Sequence, residues 1–569
     1  MPAAFISRDL APTHALRAIA VLAAAGHEAW VVGGWVRDAL RGCPAHDVDV
    51  CTDATWQQSE AAFAAAGVEV HETGIKHGTV TAIVCGQPVE VTTYRIDGDY
   101  SDSRHPDSVT FVRDVREDLA RRDFTVNAMA WHPDRGLLDP FGGCEDLAAG
   151  LIRAVGDPAR RFEEDALRIL RAVRFACRLG FIIEPGTQAA LEAAAPTLDR
   201  VAQERIGSEL RGIVATGRAS WAIREQREVM FAALPELAPM DGFDQRSPYH
   251  VYDVLEHTLR VMEGVESLTS EGASERLRWA AMLHDMGKPT CFTIDDRGQG
   301  HFFGHPAEGM RMARALLHRL AIPHELAQPI VALVRYHDRP TQPNVSSMLS
   351  LIASVDAMSG LRERSEVIWL MRELLCLRRA DALAKAPECR GYAYELNEHE
   401  RVLGQIEREG LCWRVRDLAV SGGDLIRECG MSPGPAVGEA LSRALGAVMA
   451  VYLKLCIHSV HERYVGLYFK SVYRRGHTTP YRLQYVYLVY FVLRNFRDII
   501  SYRLALYNLR KCGSFLFGKL FAVVNAVYNI VLRHNDRRAN HRTCQRSSPD
   551  FVYSRDVLAA VFKVFSFVF

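Results

Sequence analysis

Asp47 and Asp49 stand two positions apart in VVGGWVRDALRGCPAHDVDVCT, residues 31–52. The alternation in HDVDVCT predicts a strand, whose two-residue period puts both carboxylates on one face. Two carboxylates that close repel unless a cation lies between them. Mg²⁺ is the expected cation, because it takes oxygen ligands and is commonly held by one or two carboxylates together with substrate phosphates. Gly33 and Gly34 end the preceding strand, and without Cβ atoms they let backbone N–H groups approach a phosphate. Arg37, on the helix expected next, carries a fork suited to phosphate oxygens. Asp38 beside it reads as a charge on that helix's surface. Together these residues describe phosphoryl or nucleotidyl transfer. Glu90, between apolar neighbours in PVEVTTYR, either completes the catalytic carboxylates from a neighbouring strand or faces solvent.

Two further blocks supply nucleotide-binding candidates. In RRDFTVNAMA (121–130), Arg121 and Arg122 bring two cations beside Asp123 and suit a triphosphate. Asn127, one helical turn on, would steady them. In EEDALRILRAVRF (163–175), Asp165 and Arg168 lie at i, i+3 and are expected on one helix face. One can only accept hydrogen bonds and the other only donate. Cytosine and adenine both present an amino donor beside a ring-nitrogen acceptor. One such pair can therefore accept CTP and ATP and reject UTP and GTP. Glu164, Arg171 and Arg174 would support it.

A third constellation is richer in imidazole. HVYDVLEHTLRVM, WAAMLHDMGKP, GHPAEGM, VRYHDRP and RRADALAK follow one another between residues 250 and 385. A His-Asp doublet after a buried helix, followed by Gly-Lys, resembles an HD phosphohydrolase domain. His257, His284, Asp285, His305, His337 and Asp381 are the candidate ligands. Imidazole with carboxylate suits Mn, Fe, Ni or Zn. Such a metal would sharpen a water nucleophile for phosphoester hydrolysis, with Lys288 holding phosphate. His250 and Asp338 read as supporting or surface residues.

GG-x-x-R-D followed by DxD resembles the head of the nucleotidyltransferase superfamily that contains DNA polymerase beta. RRDFTVNAMA and GDPARRFEEDALRILRAVRFACRLGF (156–181) resemble the motifs of bacterial class II CCA-adding enzymes and poly(A) polymerases. The resemblance runs from about residue 14 to about 448 and is densest in the first 181. It implies addition of C, C and A to a tRNA 3′ end from CTP and ATP, with no nucleic-acid template. The tRNA 3′-hydroxyl would attack the α-phosphate in line, and pyrophosphate would leave. Asp123 would accept from the ribose hydroxyls. The polar loop 97–111 would help the switch from C to A. Helices after 182 would grip the tRNA by shape and backbone contacts. Arg200, Arg205 and Arg211 lie there, facing either RNA or solvent. The HD domain would remove a 3′-phosphate or open a 2′,3′-cyclic phosphate. Two alternatives stand beside this reading: a poly(A) polymerase of the same family, and an HD nucleotide hydrolase with a regulatory head.

The elements that must position these groups indicate an α+β multidomain chain. Leu16, Ile19, Ala20 and Leu22 predict a helix over 13–25. AWVVGG and HDVDVCT predict strands, and GTVTAIVCGQPVEVTTYR a hairpin turning at Gly86, Gln87 and Pro88. From about 157 the pattern is almost purely helical. The expected domains are a mixed α/β transferase head (1–145), a helical nucleotide-selecting and RNA-binding neck (146–240), an HD domain (241–390), a helical body (391–450), and a basic, aromatic-rich extension (451–569).

The chain has 569 residues and no net charge, but 451–569 holds nineteen Lys and Arg against five Asp and Glu. The first 450 residues are therefore acidic by fourteen charges, and only a local basic stripe could attract RNA. The extension reads as poorly structured or spurious, such as the product of a shifted reading frame. Residues 514–532 approach membrane length, but Lys519 and two Asn interrupt them. No membrane partner is expected for 1–450. Thirteen scattered cysteines without a CxxC pair, and an N-terminus without a basic signal region, point to a reduced, cytoplasmic protein.

Overall fold

The computed structural model describes residues 6–44, 48–98, 109–429 and 431–446. The chain forms two compact units, Met1–Trp413 and Arg414–Phe569. In the described part of the second lie a short turn, Val415–Asp417, and a helix, Gly422–Cys429. The basic extension 451–569, with its stretch 514–532, lies outside the described residues.

The head is built on nine strands: β1 (Ala29–Val32), β2 (Asp49–Thr52), β3 (Glu69–Gly74), β4 (Thr79–Val84), β5 (Gln87–Thr93), β6 (Arg95–Asp97), β7 (Val109–Phe111), β8 (Ala130–His132) and β9 (Gly136–Leu138). Seven of them form one sheet in the order β3-β4-β5-β2-β1-β8-β9. Strand period 2 divides its residues between two cores. Val31, Val50, Val89 and Val91 enter the larger core, where helix Thr13–Ala24 lays Ala15, Ala18, Ile19 and Leu22 against Phe63. Full burial of a side chain such as Leu22 or Phe63 is worth about 1.5–3 kcal/mol. Trp30, Val32 and Cys51 point to the opposite face and meet Tyr94, Val115 and Leu119.

The hairpin β4–β5 turns at Cys85 and Gly86, both at positive φ (53° and 75°). This is the two-residue form whose twist matches the flanking strands. Gln87 and Pro88 are already paired in β5, opposite Val84 and Ile83, so the turn starts one residue earlier than its Gly-Gln-Pro composition suggests and is one residue shorter. The polar segment 97–111, read as a loop, has paired ends: Asp97 and Val109 close the β6–β7 ladder. Residues 99–108 are outside the described set.

Beyond the head the fold is helical. A parallel two-stranded ladder pairs Leu151–Ile152 with Ile182–Ile183. Asp157 caps helix Pro158–Glu164, and a second helix, Leu167–Leu179, buries Leu170, Val173 and Ala176 and stops at Gly180 (φ 74°). Helix Gln203–Ala215 packs on it. The HD region brings together helices Val254–Leu268, Glu275–Leu283, His305–Arg319, His324–Tyr336 and Arg364–Ala384.

Candidate functional site

In the head, Asp49 is paired with Val32 on β1, one residue before the Gly33 turn. On the other side β2 runs parallel to β5, and there Asp49 lies level with Glu90. Their neighbours Val50, Val89 and Val91 fill the larger core, so both carboxylates project from the opposite face, and both are exposed. Asp47 lies outside the described residues. Gly33 has φ 73° and ψ −129°, and a Cβ there would stand 2.9 Å from Nη1 of Arg122. The glycine thus lets the strand end reach an arginine of the RRD block.

Arg121 and Arg122 are both held by one buried carboxylate. Asp118 accepts from Nε and Nη2 of Arg121 at 3.0 and 2.8 Å, and Nη2 of Arg122 is 3.5 Å from its other oxygen. Next in the chain, Asp123 Oδ1 accepts from the Phe124 N–H (2.8 Å) and Asn127 Nδ2 (3.2 Å). Its Oδ2 takes Nε and Nη2 of Arg171 at 2.9 and 2.7 Å. Burial alone would raise the Asp123 carboxyl; the Arg171 guanidinium holds it below its ordinary value. Asn127 in turn accepts from Arg37 Nη1 at 2.7 Å. The guanidinium groups of Arg37, Arg171 and Arg174 lie 5.4, 5.5 and 4.6 Å from the Phe175 ring centre. One polar chain therefore runs from the helix after the glycine turn, through Asn127 and Asp123, into the neck.

Asp165 occupies the break between the two neck helices, with extended φ −144° and ψ 104°. Its Oδ1 caps the second helix through the Leu167 N–H (3.0 Å), and its Oδ2 accepts from Arg205 Nη2 (2.9 Å). Arg168 donates to Glu164 Oε2 (2.7 Å) and to the Arg121 carbonyl (3.1 Å). The candidate base-reading groups are each braced from behind, and Arg168 is tied directly to the RRD block.

The six HD candidates converge although they come from five helices or their ends. His257 Nε2 is 3.1 Å from Asp381 Oδ1 and 3.5 Å from Asp285 Oδ2. His284 Nε2 is 3.1 Å from the same Oδ2. His305 and His337 approach Asp285 Oδ1 at 3.4 and 3.7 Å. Lys288 Nζ is 2.7 Å from Asp285 Oδ2, and Lys385 Nζ 2.7 Å from Asp381 Oδ2. Burial would raise the Asp285 carboxyl, but His284 and Lys288 hold it well below the usual range. Burial, then His284, pushes the His337 imidazole down. A cavity of about 800 Å³ opens onto the cluster, with Tyr249, Phe303 and Lys385 among its lining. His250 lies at its wall, its pKa pushed down to about 3 by burial and then Lys288. Asp338 also lines the cavity, its carboxyl raised by burial. Imidazoles with buried carboxylates are a donor set for a divalent cation.

Comparison with known proteins follows this geometry. The family model described as poly A polymerase head domain matches residues 29–153. The one described as probable RNA and SrmB- binding site of polymerase A matches 180–240, and the HD domain model matches 254–386. The CCA-adding enzyme of Leuconostoc mesenteroides subsp. mesenteroides is 32% identical over 428 residues, 75% of this chain and 89% of that relative. The chain belongs to the CCA-adding enzyme family. The CCA-adding enzyme of Latilactobacillus sakei subsp. sakei is 50% identical over 195 residues, 34% of this chain and 48% of that relative; this second match spans about half the relative's length. The crystal structure of the Bacillus stearothermophilus CCA-adding enzyme in complex with CTP superposes with a TM-score of 0.57 at 29% identity, covering 79% of this chain and 98% of that one. As a CCA-adding family member the chain is a nucleotidyltransferase, and its head and HD domains both imply dependence on a divalent metal. Among the described residues no helix is long and apolar enough to cross a membrane.

Against this family background several sequence readings change. Asp165 and Arg168 do not share a helix, because the chain breaks at Asp165. Asp38 is buried rather than a surface charge, and it receives Nε and Nη2 of Arg37, both at 2.8 Å. That bidentate grip holds the buried Arg37 fork in place, with Nη2 3.7 Å from where a Cβ of Gly34 would stand. Asn127 ends a three-residue 3-10 turn, Thr125–Asn127, in place of a helical turn. Arg205 braces Asp165, and Arg211 pairs with Glu275 at 2.7 Å; Arg200 is exposed beside Asp199. Sequence reasoning passed over Asp118, Glu209 and the bracing role of Arg205. Asp118 sits three and four residues before Arg121 and Arg122, a spacing that could have found it. Glu209, 2.6 Å from Arg174, comes from a distant helix and left no such signal.

Proposed function

We propose that this chain adds C, C and A to the 3′ end of tRNA from CTP and ATP, selecting each base with protein side chains. The observation that carries this reading is the bracing of the neck against the head. Arg171 grips Asp123, while Asp165, just before the helix of Arg171, is held by Arg205, and Arg168, in its first turn, by the Arg121 carbonyl. A selecting pair fixed in this way can act as a template without nucleic acid.

The 3′-hydroxyl of tRNA attacks the α-phosphate of the bound nucleotide in line. The new P–O bond forms as the bond to pyrophosphate breaks, and the hydroxyl proton is released. Mg²⁺ held by Asp47, Asp49 and Glu90 would neutralise the triphosphate and acidify the hydroxyl. Arg121 and Arg122 carry the triphosphate, kept in place by Asp118 and by the close approach that Gly33 allows. Gly34 leaves the adjoining turn open to phosphate. Asp123 reads the ribose hydroxyls by exchanging its Asn127 bond, the longest of its four. Asp165 accepts from the base amino group, and Arg168 donates to the ring nitrogen. The transferase head (1–145), neck (146–240), HD domain (241–390) and body (391–450) are the boundaries we assign. The free cysteines of the described residues support a cytoplasmic site.

A second activity, phosphoester hydrolysis at RNA 3′ ends, is favoured by the convergence of His257, His284, Asp285, His305, His337 and Asp381 on one cavity. Mn, Fe, Ni or Zn fits those donors and would supply a water nucleophile at neutral pH.

The test is incubation of the purified chain with tRNA lacking its CCA end, each labelled nucleotide singly, and Mg²⁺. CTP is incorporated alone, and ATP only after CTP. A long A tract on varied RNA would instead indicate a poly(A) polymerase. Asp47→Ala with Asp49→Ala abolishes incorporation and spares hydrolysis; no change in either activity would indicate a hydrolase with a regulatory head.

A further inference from the structure

A short hairpin, Thr293–Ile294 paired with Gly300–His301, lies at the mouth of the HD cavity. It is anchored to the chain before the first HD helix. The Gly300 N–H donates to the Arg246 carbonyl at 2.8 Å, and the approach is so close that a Cβ on Gly300 would meet the Gln245 carbonyl oxygen. Gln245 Oε1 in turn accepts from Lys288 Nζ at 2.9 Å. The hairpin is therefore fixed to the same segment that orients a cavity lysine.

His301 ends this hairpin with its Nε2 3.1 Å from Asp295 Oδ2. Its ring lies against that of Phe303, with centres 5.3 Å apart and planes 10° from parallel. Phe303 lines the cavity and is nevertheless 82% exposed. Single exposed aromatics are ordinary, but here Tyr249 and Tyr392 are exposed on the same cavity. The Tyr249 carbonyl accepts from the Ala386 N–H at 2.9 Å, next to Lys385. Lys288 and Lys385 both line the cavity, and Lys288 is buried. Flat rings at the rim and ammonium groups within suit a ligand with a flat base and an anionic ester. Only Gly304 separates Phe303 from His305, so their Cα atoms are at most about 7.6 Å apart. A base on Phe303 lies within one nucleotide's length of an ester at the imidazoles.

We propose that Phe303, backed by His301, stacks on the base of the terminal nucleotide, and that the HD cavity thereby selects esters that carry an unpaired nucleobase over esters that carry none. The inference rests on the hydrolase reading of this cavity and adds its specificity-determining residue. Stacking engages any base, because each has a π-face, so the platform takes RNA ends of varied sequence. Asp295 and the anchored Gly300 hold the pair in place before the ligand arrives, which limits the ordering cost of binding.

The test uses the full chain carrying Asp165→Ala and Arg168→Ala, which removes base reading in the neck, loaded with Mn²⁺. Two substrates are compared: adenosine 2′,3′-cyclic phosphate, and 1-O-methylribose 2′,3′-cyclic phosphate, which has the same ester and no base. KM should be about 10-fold lower for the nucleotide. Adding Phe303→Ala should remove that difference by raising KM for the nucleotide alone, with kcat unchanged, the pattern of a lost uniform binding contact. Phe303→Trp should restore it. Equal KM values for the two substrates before Phe303 is changed, or a Phe303→Ala effect shared by both, overturn the platform while the hydrolase reading stands. Hydrolysis of neither substrate refutes the hydrolase reading, and the platform is then read from binding of 2′-AMP by calorimetry in the same chains. An affinity about 10-fold weaker in Phe303→Ala supports it, and an unchanged affinity overturns it.

Discussion

Arg205 donates from Nη2 to Oδ2 of Asp165 across 2.9 Å, joining residues forty positions apart in the chain. The other oxygen of Asp165 caps the helix that carries Arg168 and Arg171. A single carboxylate thus sets the helix start and the direction of its own acceptor. Arg205→Ala removes the donor to Asp165 Oδ2 and, of these two bonds, leaves the carboxylate only the one from the Leu167 N–H to Oδ1. A charge-assisted hydrogen bond is worth about 1.5–3 kcal/mol, so kcat/KM for CTP and ATP should fall about 10- to 100-fold, with UTP misincorporation rising. Arg205→Lys should recover part of the loss. Single-nucleotide incorporation, beside a melting curve that shows the fold intact, checks both.

Asp49 and Glu90 stand level on parallel strands. Asp49→Asn and Glu90→Gln should each lower CTP incorporation about 10²- to 10³-fold, roughly 3–4 kcal/mol of transition-state stabilisation. Hydrolysis at the HD centre should be unchanged. Steady-state kinetics over a range of Mg²⁺ separates a lost ligand, which shifts the metal dependence, from a lost surface charge.

Gly33→Ala meets two obstacles. Its backbone is at φ 73°, ψ −129°, a region close to glycine-only that costs a side chain about 1–3 kcal/mol. The added Cβ would also press on Arg122 Nη1 at 2.9 Å. The expected result is a lower melting temperature together with a raised KM for both nucleotides, read by calorimetry and kinetics.

Asp123 faces Arg171, Asn127 and, at longer range, Arg168, with Arg171 the chief cause of its depressed pKa. A carboxyl that is more acidic folded than unfolded stabilises the fold above its ordinary value of 3.8. That contribution is lost as pH falls through the lower folded value. Asp123→Asn should therefore flatten the acid limb of stability against pH below about 4, measured by denaturant unfolding across that range.

Gly207 lies in the neck helix Gln203–Ala215, and a Cβ there would stand 2.0 Å from the Leu320 carbonyl oxygen. Backbone cannot swing aside as a side chain can. Gly207→Ala should destabilise the unit by about 1–3 kcal/mol or more, seen as earlier thermal unfolding.

Strands β1, β2, β4 and β5 and the first helix were legible from short apolar or alternating runs, whereas β3, β8 and β9 were not read and β6–β7 was read as loop. Val31 and Val50 alternate with Trp30 and Cys51, and the sheet places them in opposite cores. The HD cluster was legible because its His-Asp doublet, followed by Gly-Lys and flanked by further His and Asp residues, resembles an HD domain. The break at Asp165 was not, because EEDALRILRAVRF is compatible with one continuous helix. There Asp165 accepts from Arg205, supplied by another helix, and from the Leu167 N–H.

Sequence alone determined which residue types were available: two acids one residue apart, an acid and an arginine three apart, and imidazoles beside aspartates. Such choices are local, written in side-chain chemistry and spacing. Tertiary structure alone decided how they are used. It held the buried Arg37 fork on Asp38, set Glu90 level with Asp49, and split the oxygens of Asp285 between two pairs of histidines. Those relationships join segments far apart in the chain, and their geometry comes from packing that no single stretch encodes.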